Sequence, residues 1–170
     1  MLPIILDGSK IRVGIAGSGE GLTRRLKIVR AAGPEEPVLY EGRVPTAMEL
    51  AALHVLFVAG LDAETSRRLA EAARAAKVLV NVEDVPELCD FHVPAQVRRG
   101  DLLVAISTAG RSPALSRVLR EDIEQRFGPE WEERLEEISG LRARWRAEGA
   151  APEEVSGRTR SLLNERGWLE

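Results

Sequence analysis

Two polar residues at the end of an apolar run could act on a bound ligand. Asn81 is the last residue but one of residues 77–82, KVLVNV, a run typical of a parallel strand, and Asp84 follows that run. Ligands of parallel sheets bind beyond the carboxyl ends of the strands. A carboxylate there, partly removed from water, can take a proton or orient a cation. The same pattern also fits a loop in which Asp84 merely caps the turn before Pro86, and both interpretations stay open.

A second candidate site is the small-residue turn at residues 107–113, STAGRSP. A hydroxyl cap at Ser112, followed by proline, predicts that a helix begins here. This turn would form a binding site for carboxylates or phosphates. The groups that would bind them are helix amides, the hydroxyls of Thr108 and Ser112, the backbone at Gly110 and the guanidinium of Arg111. An ordinary capped helix explains the Ser-Pro pair but not the arginines that surround it: Arg98, Arg99, Arg111, Arg117 and Arg120.

A glycine-rich turn, GSGEG at residues 17–21, joins a predicted strand to a predicted helix. In this arrangement a dinucleotide pyrophosphate lies against the amides of the helix N-terminus. Gly17 would allow the tight turn and Gly19 the close approach of backbone to phosphate, with Ser18 and Glu20 beside them. By itself the motif fits a tight turn without a ligand equally well.

An acidic residue about 20 positions beyond such a turn usually binds the ribose hydroxyls. Glu41 stands at that distance, directly after a short strand candidate at residues 37–40. The sequence therefore predicts a dinucleotide site formed by the glycine turn and Glu41.

The elements that must position these residues alternate along the chain. Apolar runs predict strands at residues 11–16, 37–40, 54–59, 77–82 and 102–107. Helical spacing predicts helices at 22–32, 45–53, 62–76 and from 112. The second should turn Met48 and Ala52 inward, and the third, capped by Asp62, should bury Leu69, Ala72, Ala73 and Ala76. This order predicts an α/β fold with a Rossmann-like parallel sheet.

The chain changes character after Phe127. Residues 128–170 contain no strand-like run, and apolar residues recur there at helical spacing. We expect an all-helical C-terminal segment with breaks at Gly140, Gly149 and Gly157. The apolar positions are Trp131, Leu135, Ile138, Leu141 and Trp145.

Composition limits the class of protein. The chain has 170 residues and a net charge of −3, which gives no electrostatic case for a nucleic-acid partner. No run approaches the roughly 20 apolar residues of a membrane-spanning helix, and the opening residues lack the pattern of a signal peptide. One cysteine, Cys89, fits a reducing compartment. We expect a cytoplasmic protein that does not bind membranes.

A long pattern in the middle of the chain resembles the NAD-dependent precorrin-2 dehydrogenases of sirohaem synthesis. That family has a pattern like N-V-x-D-x-P-x-x-C-D-F-x-x-P-A, then a strand and I-S-T-x-G-x-S-P-A-L-x-x-x-L/I-R-E. Residues 81–95 and 106–121 match it in register. The matching residues are Asn81, Asp84, Pro86, Cys89, Asp90, Phe91, Pro94, Ala95, Ile106, Ser107, Thr108, Gly110, Ser112, Pro113, Ala114, Leu115, Arg120 and Glu121.

The resemblance implies an enzyme that oxidises precorrin-2 to sirohydrochlorin with NAD, in some members followed by iron insertion. It implies Asp84 as the catalytic residue and Gly17, Ser18, Gly19, Glu20, Glu41 and Asn81 as the cofactor site. Thr108, Gly110, Arg111 and Ser112 would bind the tetrapyrrole substrate. The family is a homodimer with a nucleotide domain, a central dimerisation region and a helical end. The resemblance therefore implies a homodimer, with an NAD-binding domain at 1–93, a dimerisation and substrate region at 94–127 and a helical domain at 128–170.

Three departures from the family pattern fall on the cofactor side. Leu22 replaces the small residue that closes the glycine motif, although Gly21 would relieve this by a shift of one place. Gly60 lies where the family has A-T-D-D after the apolar strand, and residues 33–54 form a shorter segment than usual. Two alternatives therefore stay open: a sirohydrochlorin chelatase without dehydrogenase activity, and a non-catalytic tetrapyrrole-binding or regulatory subunit.

No resident metal is expected. His54 and His92, the two histidines, have no metal-binding spacing. Cys89 lies beside Phe91 in apolar surroundings, which favours a packed thiol over a nucleophile.

Overall fold

The computed structural model describes residues 1–33 and 36–169, which divide into two compact units, Met1–Val93 and Pro94–Glu170. The second unit includes both the region predicted at 94–127 and the helical tail, and the roles expected of the three domains stay predictions.

The first unit alternates strands and helices. In chain order these are β1 (Val13–Gly17), α1 (Gly19–Ala32), β2 (Val38–Glu41), α2 (Ala47–Ala51), β3 (Val55–Ala59), α3 (Ala63–Ala75), β4 (Leu79–Val82) and a 3₁₀ turn at Pro86–Leu88. The four strands form one parallel sheet in the order β2-β1-β3-β4. The chain therefore reverses its direction of winding between β1 and β3. This topological switch point is where ligands bind in such sheets.

Strand alternation divides the core between the two faces of the sheet. Val55 and Phe57 of β3 join Ile15 in a cluster with Leu22 and Val29 of α1. Their neighbours along the strands lie in a second cluster with residues of α2 and α3. That cluster contains Ala16, Tyr40, Leu50, Leu53, Leu56, Val58, Leu69, Ala70, Ala73, Val78, Val80 and Val82. The predicted Rossmann-like α/β architecture is confirmed.

The inward faces of two helices differ from the prediction. Met48 is 84% exposed and Ala52 is exposed, whereas Leu50 and Leu53 enter the core. A capping box at Thr46 fixes where α2 begins and hence which side meets the sheet.

Helix α3 is capped by Asp62, as predicted, but Ala72 is exposed. Its buried face is Ser66, Leu69, Ala70 and Ala73, which recur at i, i+3, i+4 and i+7. The prediction missed this phase because Ser66 is polar and alanine gives a weak hydrophobic signal.

The second unit begins with an antiparallel hairpin of β5 (Ala95–Arg99) and β6 (Leu102–Ile106). Three helices follow: α4 (Pro113–Arg126), α5 (Trp131–Ala147) and α6 (Pro152–Glu165). Strand β5 was not predicted from the sequence. Gly140 and Gly157 lie inside α5 and α6, so only the predicted break at Gly149 falls between helices.

The second unit has few buried apolar side chains. Those that are buried are Val97, Trp131, Ala150 and Val155, whereas α4 contributes none. Leu115, Val118 and Leu119 of α4 are 49%, 60% and 38% exposed. Within residues 1–33 and 36–169, no helix has the length and apolar character needed to span a bilayer.

Candidate functional site

The glycine turn lies at the switch point between β1 and β3. Gly17 pairs in register with Ala59, and a Cβ on Gly17 would collide with the Ala59 carbonyl oxygen. Gly60 has a left-handed φ of 66°, and a Cβ there would collide with the Ser18 carbonyl oxygen. The two turns therefore pack backbone against backbone, which accounts for glycine at position 60.

Ser18 joins these turns instead of capping its helix. Its hydroxyl donates to the Gly60 carbonyl at 2.9 Å, and its amide donates to the Ala59 carbonyl at 3.2 Å. It makes no side-chain cap for α1, whereas Thr46 and Asp62 cap α2 and α3. The first-turn amides of α1 consequently retain their capacity to bind an anion.

Space above the turn is open at Gly19. This residue has a left-handed φ of 62°, and no atom lies within 4 Å of where its Cβ would be. Glu20 is exposed in the same turn. Backbone at this point is therefore accessible to a large ligand.

Gly21 fulfils the packing role of the third motif glycine. A Cβ at Gly21 would lie 2.5 Å from Glu83 Oε2 and 3.2 Å from the Ala59 Cβ. Leu22, which is 5% exposed, is part of the core cluster against α1 and does not enter the turn. The departure at Leu22 is thus compensated by a register shift of one residue.

Glu83 is a largely buried acidic residue that the sequence analysis missed. Its carboxylate is 12% exposed and lies 3.0 Å from Arg24 Nη2 and 3.7 Å from Arg25 Nε. The Arg25 guanidinium also lies over the Phe57 ring, 5.7 Å from its centroid. Glu83 therefore ties the end of β4 to α1 just behind the glycine turn. No local pattern reveals this pairing, because Arg24 and Glu83 are 59 residues apart.

Glu41 lies beside the glycine turn, at the end of the neighbouring strand. It pairs in register with Gly17, and the Gly42 amide donates to the Gly17 carbonyl at 3.3 Å. The Glu41 side chain is exposed. Strand β2 is thus present despite the short segment at residues 33–54, in which α2 has 5 residues.

Asn81 is buried, and its amide nitrogen is bound to the segment that follows β4. It is 5% exposed, and Nδ2 donates to the Phe91 carbonyl at 2.9 Å and to Cys89 Sγ at 3.5 Å. The Cys89 thiol also accepts from the Val82 amide at 3.3 Å. These contacts are those of a packed thiol, as the sequence predicted.

Asp90 completes this segment. Its carboxylate accepts from Arg74 Nε at 2.7 Å and from the Val80 amide at 3.0 Å, and its own amide donates to the Val80 carbonyl at 2.8 Å. Phe91 packs edge-on against Phe57 with centroids 5.4 Å apart. Residues 89–91, here called the strap, thereby cover the outer edge of β4.

Asp84 differs from the other acidic residues of this region. It lies in the turn between β4 and the 3₁₀ helix, with a left-handed φ of 59° and an exposed side chain. Aspartate tolerates this backbone better than most residues. The strap and Glu83 fix the turn on either side, so an exposed carboxylate is held at the carboxyl edge of the sheet.

The Ser107–Pro113 turn of the second unit is held by its own hydroxyls. Thr108 Oγ1 accepts from the Ser112 amide at 3.3 Å and lies 3.0 Å from Ser116 Oγ. Ser112 Oγ accepts from the Leu115 amide at 3.2 Å, which confirms the predicted N-cap of α4. Ala109 and Gly110 are both left-handed, and Arg111 is exposed.

Contacts within the second unit account for most of the nearby arginines. Arg99 donates to the carbonyls of Phe127 and Glu124 at the end of α4. Arg117 and Arg120 form ion pairs with Glu121 and Glu124, one turn further along the same helix. The concentration of arginine therefore reflects helix stabilisation in part.

Comparison with known proteins shows the family of this chain. A family model described as "Putative NAD(P)-binding" matches residues 4–95. This chain belongs to that family. A second model, "Sirohaem biosynthesis protein central", matches residues 99–126.

Several siroheme synthases are similar to this NAD(P)-binding protein. That of Methylobacillus flagellatus is 38% identical over 141 residues, covering 72% of this chain and 30% of that protein. That of Nitrosococcus oceani is 30% identical over 172 residues, covering 84% and 37% respectively. The chain thus spans about a third of the length of these relatives.

A solved structure, "SirC, precorrin-2 dehydrogenase", has a TM-score of 0.68 and 22% identity, and the match covers 97% of this chain and 88% of that one. At this identity the likeness shows a shared fold.

The residues of the NAD(P)-binding unit fit a dinucleotide. The amides of α1 lack a side-chain cap, Gly19 leaves room for phosphate oxygens, and Glu41 is exposed on the strand beside the turn, in register with Gly17. Leu22 and Gly60 leave this space open. Asn81 lies too deep to expose its side chain here, so any effect it has on the cofactor acts through the strap.

Proposed function

We propose that this chain oxidises precorrin-2 to sirohydrochlorin, with NAD as the hydride acceptor. The family assignment, the names of the similar siroheme synthases and the fold shared with SirC support this proposal. In the reaction the macrocycle gives up a hydride, which NAD accepts, and a proton, which a base or water accepts.

The observation that carries the proposal is the uncapped N-terminus of α1 at the switch point. Gly17, Ser18, Gly19 and Glu20 would hold the pyrophosphate, chiefly through backbone amides, because the Ser18 hydroxyl is occupied by Gly60. Glu41 would accept hydrogen bonds from the adenosine ribose. Asn81 would position the strap.

Asp84 is our candidate for the proton acceptor. A base must have a free lone pair at the site of reaction, and the Asp84 carboxylate is exposed at the carboxyl edge of the sheet. Two neighbouring acidic residues, Glu83 and Asp90, are engaged by arginines and are therefore structural. Asp84 comes directly after Glu83 in the turn that follows β4, and its carboxylate is exposed there.

The second unit would bind the carboxylates of the substrate. Precorrin-2 carries many carboxylates, which an exposed guanidinium at Arg111 and the N-terminal turn of α4 can bind. Thr108, Gly110 and Ser112 would shape that turn. We further propose that the chain works as a cytoplasmic homodimer.

The test is anaerobic incubation of the protein with precorrin-2 and NAD, following NADH and sirohydrochlorin absorbance. We expect both products to form, and Asp84→Asn to lower turnover at least about a hundredfold, the low end of the usual contribution of a general base. NADH affinity should not change. Glu87→Gln, an exposed carboxylate on the same loop, is the matched control and should turn over normally.

Two outcomes would contradict the proposal. Absence of sirohydrochlorin in the presence of NAD would exclude dehydrogenation, and insertion of ferrous ion into separately supplied sirohydrochlorin would then identify a chelatase. Full turnover by Asp84→Asn would remove the role assigned to that residue.

A further inference from the structure

Two opposite charges follow each other at the end of β2. Glu41 is exposed beside Gly17, and Arg43 comes two residues later, after the turn at Gly42. An acidic residue at this place binds the ribose 2′-hydroxyl of NAD, whereas a nearby arginine accommodates the 2′-phosphate of NADP. The sequence of this loop therefore fits either dinucleotide.

Arg43 is held by two neighbours. Its Nη1 and Nη2 donate to Glu49 Oε2 and Oε1 at 3.0 and 2.7 Å, a bidentate pair. Its guanidinium also lies over the Tyr40 ring, 4.8 Å from the centroid. Planar stacking and two parallel hydrogen bonds together fix one orientation of the group.

Glu49 is itself fixed by the start of α2. Its Oε2 accepts from the Thr46 amide at 2.7 Å and from Thr46 Oγ1 at 3.0 Å, and the Thr46 hydroxyl accepts from the Glu49 amide at 3.3 Å. The bonds from Arg43 and then from Thr46 lower the pKa of Glu49 to about 2. The carboxylate is therefore charged at neutral pH, and its pairing with Arg43 persists.

We propose that Glu49 sets the dinucleotide preference of this chain by holding Arg43 on Tyr40, so that Glu41 alone faces the adenosine ribose. With Arg43 held, a 2′-phosphate would meet an acidic side chain without a compensating cation. Glu49 is thus a positioning residue that favours the 2′-hydroxyl dinucleotide. This inference rests on the proposed cofactor site.

The experiment measures equilibrium binding, not turnover. NADH and NADPH are titrated into wild type, Glu49→Gln, Arg43→Gln and the double variant, and each Kd is obtained from nicotinamide fluorescence. Glutamine keeps the capping box but loses the charge that holds Arg43. We expect Glu49→Gln to lower the ratio of the NADPH Kd to the NADH Kd about tenfold, the effect of one charge-assisted contact.

The double variant and a cap variant distinguish this role from a structural one. The gain should vanish in Arg43→Gln/Glu49→Gln, because it requires a free guanidinium. Thr46→Val removes the hydroxyl of the capping box but keeps the Arg43–Glu49 pair, so it should lower stability and leave the ratio unchanged.

Three results would overturn the inference. If Glu49→Gln still binds NADH and its ratio of NADPH Kd to NADH Kd is within twofold of wild type, this inference fails while the proposed cofactor site stands. The same holds if the gain persists in the double variant. If wild type binds neither dinucleotide, this inference and the proposed cofactor site both fail.

Discussion

At the scale of single residues, glycine is required for different physical reasons at several positions in the first unit. Gly17 and Gly60 allow two backbones to approach, and a methyl group on either would meet a carbonyl oxygen. Gly21 makes room for the largely buried Glu83 carboxylate. Gly19, like Gly42, combines a left-handed backbone with open space, so no contact among the described residues of this unit accounts for its missing side chain.

Replacing Gly19 with alanine should therefore separate stability from binding. The left-handed backbone costs an alanine about 1 kcal/mol, and the methyl group would occupy the approach of the pyrophosphate. We expect NADH affinity to fall at least tenfold, measured by fluorescence titration. Gly167→Ala is the matched control, because φ there is 59° and the space is equally open. It should lose the same stability and keep full affinity; equal loss of affinity in both would contradict the site.

At the scale of elements, the strap explains much of the motif that resembles the precorrin-2 dehydrogenases. Asn81, Cys89, Asp90 and Phe91 hold residues 89–91 along the outer edge of β4. An uncovered edge strand exposes unpaired backbone groups to other chains. Four residues of that motif therefore build the loop, and Asp84 is exposed on the turn that precedes it.

Removing the Asp90 carboxylate should destabilise the sheet edge. Asp90→Ala leaves Arg74 and the partly buried Val80 amide without this partner, and we expect a loss of about 2 kcal/mol in the free energy of unfolding. Urea denaturation measures it. Glu87→Ala, exposed on the same loop, should change stability by less than about 0.5 kcal/mol. Equal stability of the two variants would exclude the structural role of Asp90.

A substitution in helix α5 should increase the stability of the protein. Gly140 lies inside the helix, and no atom lies within 4 Å of where its Cβ would be. Glycine in a helix interior costs about 0.5–1 kcal/mol relative to alanine. Gly140→Ala should raise the free energy of unfolding by that amount in urea denaturation. A decrease would mean that α5 is broken at Gly140, as the sequence pattern had suggested.

At the scale of the whole molecule, the two units bury apolar surface very unequally. The first has a core on both faces of its sheet, whereas the second buries few apolar side chains and leaves those of α4 exposed. A unit with so little buried surface gains stability by association. This supports the proposed homodimer, and we expect the exposed apolar side chains of α4 to lie at its interface.

A charge on the exposed face of α4 should weaken that association. Val118 is 60% exposed, and we expect Val118→Glu to raise the dimer dissociation constant at least tenfold, measured by sedimentation velocity across a dilution series. Met48→Glu, at an 84% exposed position of the first unit, should leave it unchanged. A wild type that is monomeric at every concentration would contradict the proposal.

Local sequence patterns predicted most of the fold. Apolar runs located the four parallel strands and β6, and Asp62 and Ser112 cap their helices as expected. The predictions that failed concern which face of a helix is buried and where a helix ends. Met48 faces solvent, and Gly140 lies inside α5. Weak hydrophobic signals and isolated glycines cannot decide these points, since packing against the sheet and helix continuity depend on distant neighbours.

By itself, the sequence determined where the site residues stand, because the order of strands and turns fixes which residues reach the carboxyl edge of a parallel sheet. The roles assigned to them stay predictions. Only the tertiary structure decided which polar groups are already bound: Glu83 by Arg24, Asn81 by the strap, and Arg43 by Glu49. The physical reason is that a hydrogen bond satisfies a group only at a given distance and angle, and no one-dimensional pattern contains either quantity.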